Sequence, residues 1–157
     1  GIEKPGSYSI IDNEYVFPYK TTVKATYLSN ALRKVNDNSF EIDVADWFLH
    51  VINQEFTSVN RTTSFFPDYT GSDKYFYLLT FDKDIEVTDA PLKLNLENSM
   101  GTYTFNLVQN DKNKILITSY FVTKTNKVPV TDIADVEQMF NAVKSRKEFK
   151  IKFKIVN

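Results

Sequence analysis

From Tyr75 to Thr123 the chain reads as short strands: Tyr75–Phe81 is a buried-looking apolar run, the segments after it return their apolar residues at every second position, and the polar runs between them are short enough to be turns. Leu92, Leu94 and Leu96 alternate with Lys93, Asn95 and Glu97, and Tyr103, Phe105 and Leu107 alternate with Thr104 and Asn106. Asn98 to Gly101 and Asp111 to Lys114 carry the turn residues between these runs. A period of two sends successive side chains to opposite faces, so these segments read as strands with one face on a core. Tight polar connections between consecutive strands imply an antiparallel meander. Phe149, Ile151, Phe153 and Ile155 alternate with Lys150, Lys152 and Lys154 and predict one further strand at the end of the chain.

Elsewhere the period lengthens. Val44, Trp47, Phe48, Val51, Ile52 and Phe56 form one broad apolar stripe at helical spacing, with Asp43 placed as a cap and Asp46 as the acid of a capping box. Ile133, Val136, Met139, Phe140 and Val143 form a second stripe, acidic at its start and basic at its end, which complements a helix dipole. Leu28, Ala31, Leu32 and Val35 suggest a third helix from Thr22 onward; Val23, Ala25 and Tyr27 support a competing strand, and we give the helix precedence. Tyr8 to Phe17 reads as a short hairpin around Asp12-Asn13. With 157 residues and no linker, repeat or low-complexity run, the expectation is one domain spanning 1–157. Its expected class is α+β: an antiparallel sheet of about five to seven strands with two or three helices, 44–56 and 132–145 among them, on one face.

Composition removes whole classes of chemistry. Four scattered glycines, Gly1, Gly6, Gly71 and Gly101, cannot make a phosphate loop, a dinucleotide fingerprint or a nucleophile elbow. No cysteine means no disulfide, thiolate zinc site, iron–sulfur cluster or cysteine nucleophile. One histidine cannot supply a two-histidine metal motif. No cofactor and no metal are therefore expected. Nineteen Lys+Arg against twenty Asp+Glu leave a net charge of −1, with only Arg33, Arg61 and Arg146 as arginines, so no nucleic-acid partner is expected. No stretch approaches the roughly 20 apolar residues of a membrane-spanning helix. The chain opens Gly1-Ile-Glu-Lys-Pro rather than on methionine, which leaves room for a signal peptide or lipid-anchoring segment upstream. The absence of cysteine suits an exported bacterial domain, secreted or periplasmic, and equally a cytosolic one, and we lean to the exported setting.

Each remaining candidate has a structural explanation beside the chemical one. His50 stands four residues after Asp46, so the carboxylate can orient the ring, yet the same spacing also makes an ordinary helix-surface pair. Asp82, Asp84, Glu86 and Asp89 resemble a calcium loop only in composition, because Val87 and Lys93 occupy the positions that need glycine and glutamate. Lys150, Lys152 and Lys154 share one strand face; they suit an acidic partner, or they keep that face soluble and discourage edge pairing. Asn60-Arg61-Thr62 matches a glycosylation acceptor.

The aromatic residues, 15% of the chain, are in excess. Most fall at core positions of the patterns above. Phe65, Phe66 and Tyr69 instead occupy the long polar segment from Ser58 to Asp73, where rings either fold back over the core or face a partner. The expectation is a non-catalytic binding domain with a protein or glycan partner. Phe65, Phe66 and Tyr69 would supply contact area, and Arg61 or Asp68 a directional polar contact. Two alternatives remain open at this point: a small hydrolase or lyase using carboxylates, tyrosines or His50 as acid and base, and a cytosolic inhibitor or immunity-type protein.

Overall fold

The structure, a computed structural model, describes residues 2–14, 20–29, 32–44, 47, 55–89, 92–145 and 150–156. The chain divides into two compact units, Gly1–Arg33 and Lys34–Asn157.

The first unit is a hairpin of β1 (Ile2–Glu14) and β2 (Lys20–Ser29), paired antiparallel. The helix expected from Thr22 is not there. Thr21, Thr22, Val23 and Thr26 make this stretch rich in β-branched residues, which are stiff at χ1 and fit a pleated strand better than a helix. The strand reading of Val23, Ala25 and Tyr27 was the right one, and the 3–4 spacing from Leu28 to Val35 only bridges β2 and the next strand. Nor does the chain reverse at Asp12-Asn13. Both are strand residues, opposite Thr22 and Thr21, and the last pair before the reversal is Glu14 with Lys20. Register shifts flank Pro5, which lacks the N–H that a regular ladder requires.

The second unit is dominated by strands, not the expected α+β arrangement. After β3 (Leu32–Lys34), which straddles the boundary, come β4 (Ser39–Asp43), β5 (Gly71–Thr80), β6 (Ile85–Val87), β7 (Leu92–Glu97), β8 (Gly101–Asp111), β9 (Lys114–Thr123) and β10 (Lys150–Ile155). They form two four-stranded sheets, ordered β5-β9-β8-β7 and β3-β4-β10-β6. Strands β7, β8 and β9 are the expected meander, but β5 joins it out of sequence on the far side of β9. Strand β6 leaves that sheet for the other, beside β10. One α-helix, α1 (Ile133–Ser145), stands among the described residues, preceded by a 3-10 turn at Val130–Asp132. Most of the helix expected at 44–56 lies outside the described residues; of its stripe, Val44 and Trp47 are buried and Phe56 is half-buried. No helix among the described residues is long and apolar enough to cross a membrane.

The core follows from the two periods. On β8, Tyr103, Phe105 and Leu107 are buried, and on β9 Ile115, Ile117, Ser119 and Phe121, with the intervening residues more exposed. Helix α1 contributes Ile133, Val136, Met139, Phe140 and Val143 and packs against β8. Its start is fixed by the β7–β8 turn: the Ser99 N–H donates to the Asp135 carboxylate (3.0 Å) and the Asn98 amide to the Asp135 carbonyl (2.9 Å). In the second sheet Phe153 stacks on Phe40 at 5.7 Å and meets Phe81 at 4.7 Å.

Gln109 joins the sheets. Its amide nitrogen donates to the Ile85 carbonyl (2.7 Å), its amide oxygen accepts the Val87 N–H (3.0 Å), and Ile85 donates to the Lys112 carbonyl (2.8 Å). The side chain thus acts as a short piece of strand on the edge of β6 that β10 leaves open. Replacing Gln109 by leucine removes both bonds at an exposed position where water can reach the freed groups, and is expected to cost about 1 kcal/mol, read as a lower urea midpoint at unchanged slope.

Candidate functional site

The segment between Phe56 and Gly71, where β5 begins, has no regular structure of its own and is held at several points. Phe56 meets Phe65 edge-on at 5.3 Å, and both meet Phe140 of α1, at 5.3 and 5.9 Å. The Ser58 N–H donates to Glu137 Oε2 (3.1 Å), and the Ser58 hydroxyl donates to the same oxygen in a close contact. Those two donors hold the Glu137 carboxyl below its ordinary pKa. Next the chain turns, with Arg61 N–H donating to the Ser58 carbonyl (3.2 Å) and Asn60 at φ 59°. Asparagine is among the few residues that accept that left-handed conformation. Phe65 then exchanges two backbone hydrogen bonds with Val128, at 2.9 and 2.8 Å.

The bridge to Val128 decides which rings face outward. Neighbouring residues of an extended chain point to opposite sides, so turning Phe65 toward Phe140 turns Phe66 away. Phe65 is half-buried, whereas Phe66 is 63% exposed and Tyr69 50%. Exposed Arg61 lays its guanidinium 4.5 Å from the Phe56 ring centroid, and the Lys127 ammonium stands 6.0 Å from that of Phe66. The Tyr69 hydroxyl donates to the Asp73 carboxylate in a close contact, and its ring lies against Gly71, where a Cβ would come within 3.3 Å of it. Asp68 is exposed. Arg61 and Phe65 therefore meet at Phe56, while Phe66 and Tyr69 each keep a separate neighbour. Lys127, Asp73 and Glu137 belong to this surface although no pattern in the sequence singles them out.

The Tyr69–Asp73 hydrogen bond raises the Tyr69 pKa to about 12, with smaller contributions from partial burial and nearby negative charge. A phenol whose pKa is higher folded than unfolded contributes stability that is complete below the unfolded value, about 10. That contribution is lost as pH rises through 10 toward 12. Tyrosinate absorbance should thus include a late-titrating component that Asp73→Asn moves back toward the ordinary value; a profile unmoved by that substitution would refute this role for Asp73.

The other candidates gather nothing. His50 and Asp46 lie outside the described residues. Asp82, Asp84 and Glu86 are exposed, and among the described residues no group of three potential metal ligands occurs. Lys150, Lys152 and Lys154 are exposed, but β10 is an inner strand, so they do not guard an edge. Asp43, Glu41 and Glu86 stand opposite them in the register, and Lys150 pairs with Glu41 at 3.3 Å. The face is a checkerboard of both signs, not a cationic strip.

Residues 44–153 match the family described as a domain of unknown function with solved structure, DUF3858. The chain belongs to that family. The match takes in the aromatic loop, the sheet β5-β9-β8-β7, α1 and most of β10, and leaves the β1–β2 hairpin outside it. No curated protein and no individual solved structure matches the chain.

Proposed function

We propose that this DUF3858 member is a non-catalytic binding domain of an exported bacterial protein. Its contact surface is the outward side of the 60–73 loop, with Phe66 and Tyr69 as the contact rings, Arg61 as the directional charge and a protein or glycan as the partner. The observation that carries the reading is the exposure of Phe66 beside an anchored Phe65. A loop tied to α1 and to Val128 holds the ring outward in a fixed place, and rings so held offer large rigid area for little loss of side-chain entropy. The lysine and arginine nearby add charge that can read a carboxylate on either kind of partner. The cysteine-free composition is compatible with the exported setting.

The test compares the wild-type chain with the Phe66→Ala/Tyr69→Ala pair on a glycan array and in affinity capture from whole bacterial extract. The reading requires a partner that the wild type retains and the pair loses, at equal melting temperature. A partner held equally by both proteins overturns it.

A further inference from the structure

We propose that β5 is a self-association edge, across which two copies of this chain pair antiparallel about a two-fold axis to make one continuous sheet. The argument starts from where the backbone of β5 points. Phe81 N–H donates to the Asn113 carbonyl (3.0 Å), which continues the β5–β9 register by one pair and fixes its phase. Hydrogen-bonding pairs alternate along an antiparallel ladder, so the odd-numbered residues of β5 bond to β9. Ser72, Lys74, Phe76, Leu78 and Thr80 then direct their N–H and C=O groups to the opposite side. Strand β5 ends its sheet there, and among the described residues no backbone group meets them. Such a row of donors and acceptors is matched only by another extended chain.

The side chains on this edge are not those of a protected strand. Phe76 and Leu78 are 59% and 57% exposed on the outer face, and Leu78 continues across the sheet into Leu116 and Val108. One lysine, Lys74, is the residue that would ordinarily blunt the edge. Its ammonium sits 4.9 Å from the Phe76 ring and 5.5 Å from that of Tyr120, its register partner on β9. The charge is drawn inward over the sheet, away from the open side.

A second copy fits this edge by its own sequence. With the axis at Tyr77, Phe76 of one copy stands opposite Leu78 of the other, twice over by symmetry. Lys74 then faces Thr80 of the second copy and lies diagonal to its Asp82, an opposite charge. Centring the axis on Phe76 instead sets Lys74 against Leu78, and centring it on Tyr75 sets Lys74 against Phe76. Only the Tyr77-centred register sets Phe76 against Leu78, the two large apolar residues of the edge, and it brings Lys74 toward an acid as well. The contact rings proposed above, Phe66 and Tyr69, precede β5 and lie outside the paired stretch, so either reading can fail without the other.

Sedimentation velocity over a rising concentration series tests the pairing, with cross-linking to test the register. The wild type should pass from monomer to a species of twice the mass, and Leu78→Lys, which alters an exposed side chain, should stay monomeric at unchanged melting temperature. The chain has no cysteine of its own, so a mixture of Phe76→Cys and Leu78→Cys copies should oxidise to a mixed disulfide far faster than either alone. A chain monomeric throughout, a dimer indifferent to Leu78→Lys, or equal cross-linking in all three samples each overturns the proposal.

Discussion

Gly101→Ala is expected to destabilise the second unit by about 3 kcal/mol or more, among the larger effects any single methyl group can have. Gly101 opens β8 opposite Thr123, and a Cβ built there would stand 1.8 Å from the Val122 carbonyl oxygen and 2.9 Å from its carbon. Both atoms are backbone of β9, which pairs on both its sides, so no rotamer change relieves the overlap. The strand must shift, and with it the turn in which the Gly101 carbonyl accepts the Asn98 N–H and Met100 accepts that of Lys124. At about 2–4 °C per kcal/mol for a chain of this size, the melting temperature should fall by roughly 10 °C. Gly71→Ala is the control. There the nearest atoms belong to the Tyr69 ring, at 3.3 and 3.6 Å, which can swing aside. Equal melting temperatures for the two variants would refute the argument.

The same contrast between backbone and side chain separates what the sequence reveals from what it hides. Helix α1 is legible because its apolar stripe, its early Asp135 and its late Lys144 all agree. Strands β7, β8 and β10 are legible because period-two alternation needs no distant partner to be visible. The place of β5 is not, since alternation reports which face is buried but never which strand lies alongside. Segment 22–35 misleads because apolar residues in two successive strands fall by chance at helical spacing; its β-branched run was the better signal. At the candidate site, Phe65 and Phe66 are identical neighbours, and a backbone bridge to Val128, some sixty residues on in the chain, gives them opposite fates. Local pattern holds no trace of that bridge.

Phe140→Ala should show how far the loop depends on the helix beneath it. Phe140 is only 6% exposed and lies against both Phe56 and Phe65, so its removal deletes a buried ring and two ring–ring contacts. Truncating a buried phenylalanine costs about 3–5 kcal/mol, of which part is the cavity left behind. Phe66→Ala, one residue from the anchored ring but outside the cluster, should change stability by less than about 0.5 kcal/mol. Urea unfolding of Phe140→Ala, Phe65→Ala and the double variant should show a coupling of about 1 kcal/mol, as expected for rings in direct contact. The cluster also bears on the proposed function. With Phe140 gone, Phe65 loses the ring it turns toward, and the loop keeps Ser58–Glu137 and the Val128 bridge as its remaining ties to the body. Phe66 and Tyr69 would then be presented less rigidly, and partner binding should weaken although Phe140 touches no partner. Additive stabilities for the Phe65 and Phe140 variants would show instead that the loop rests on its hydrogen bonds and not on its rings.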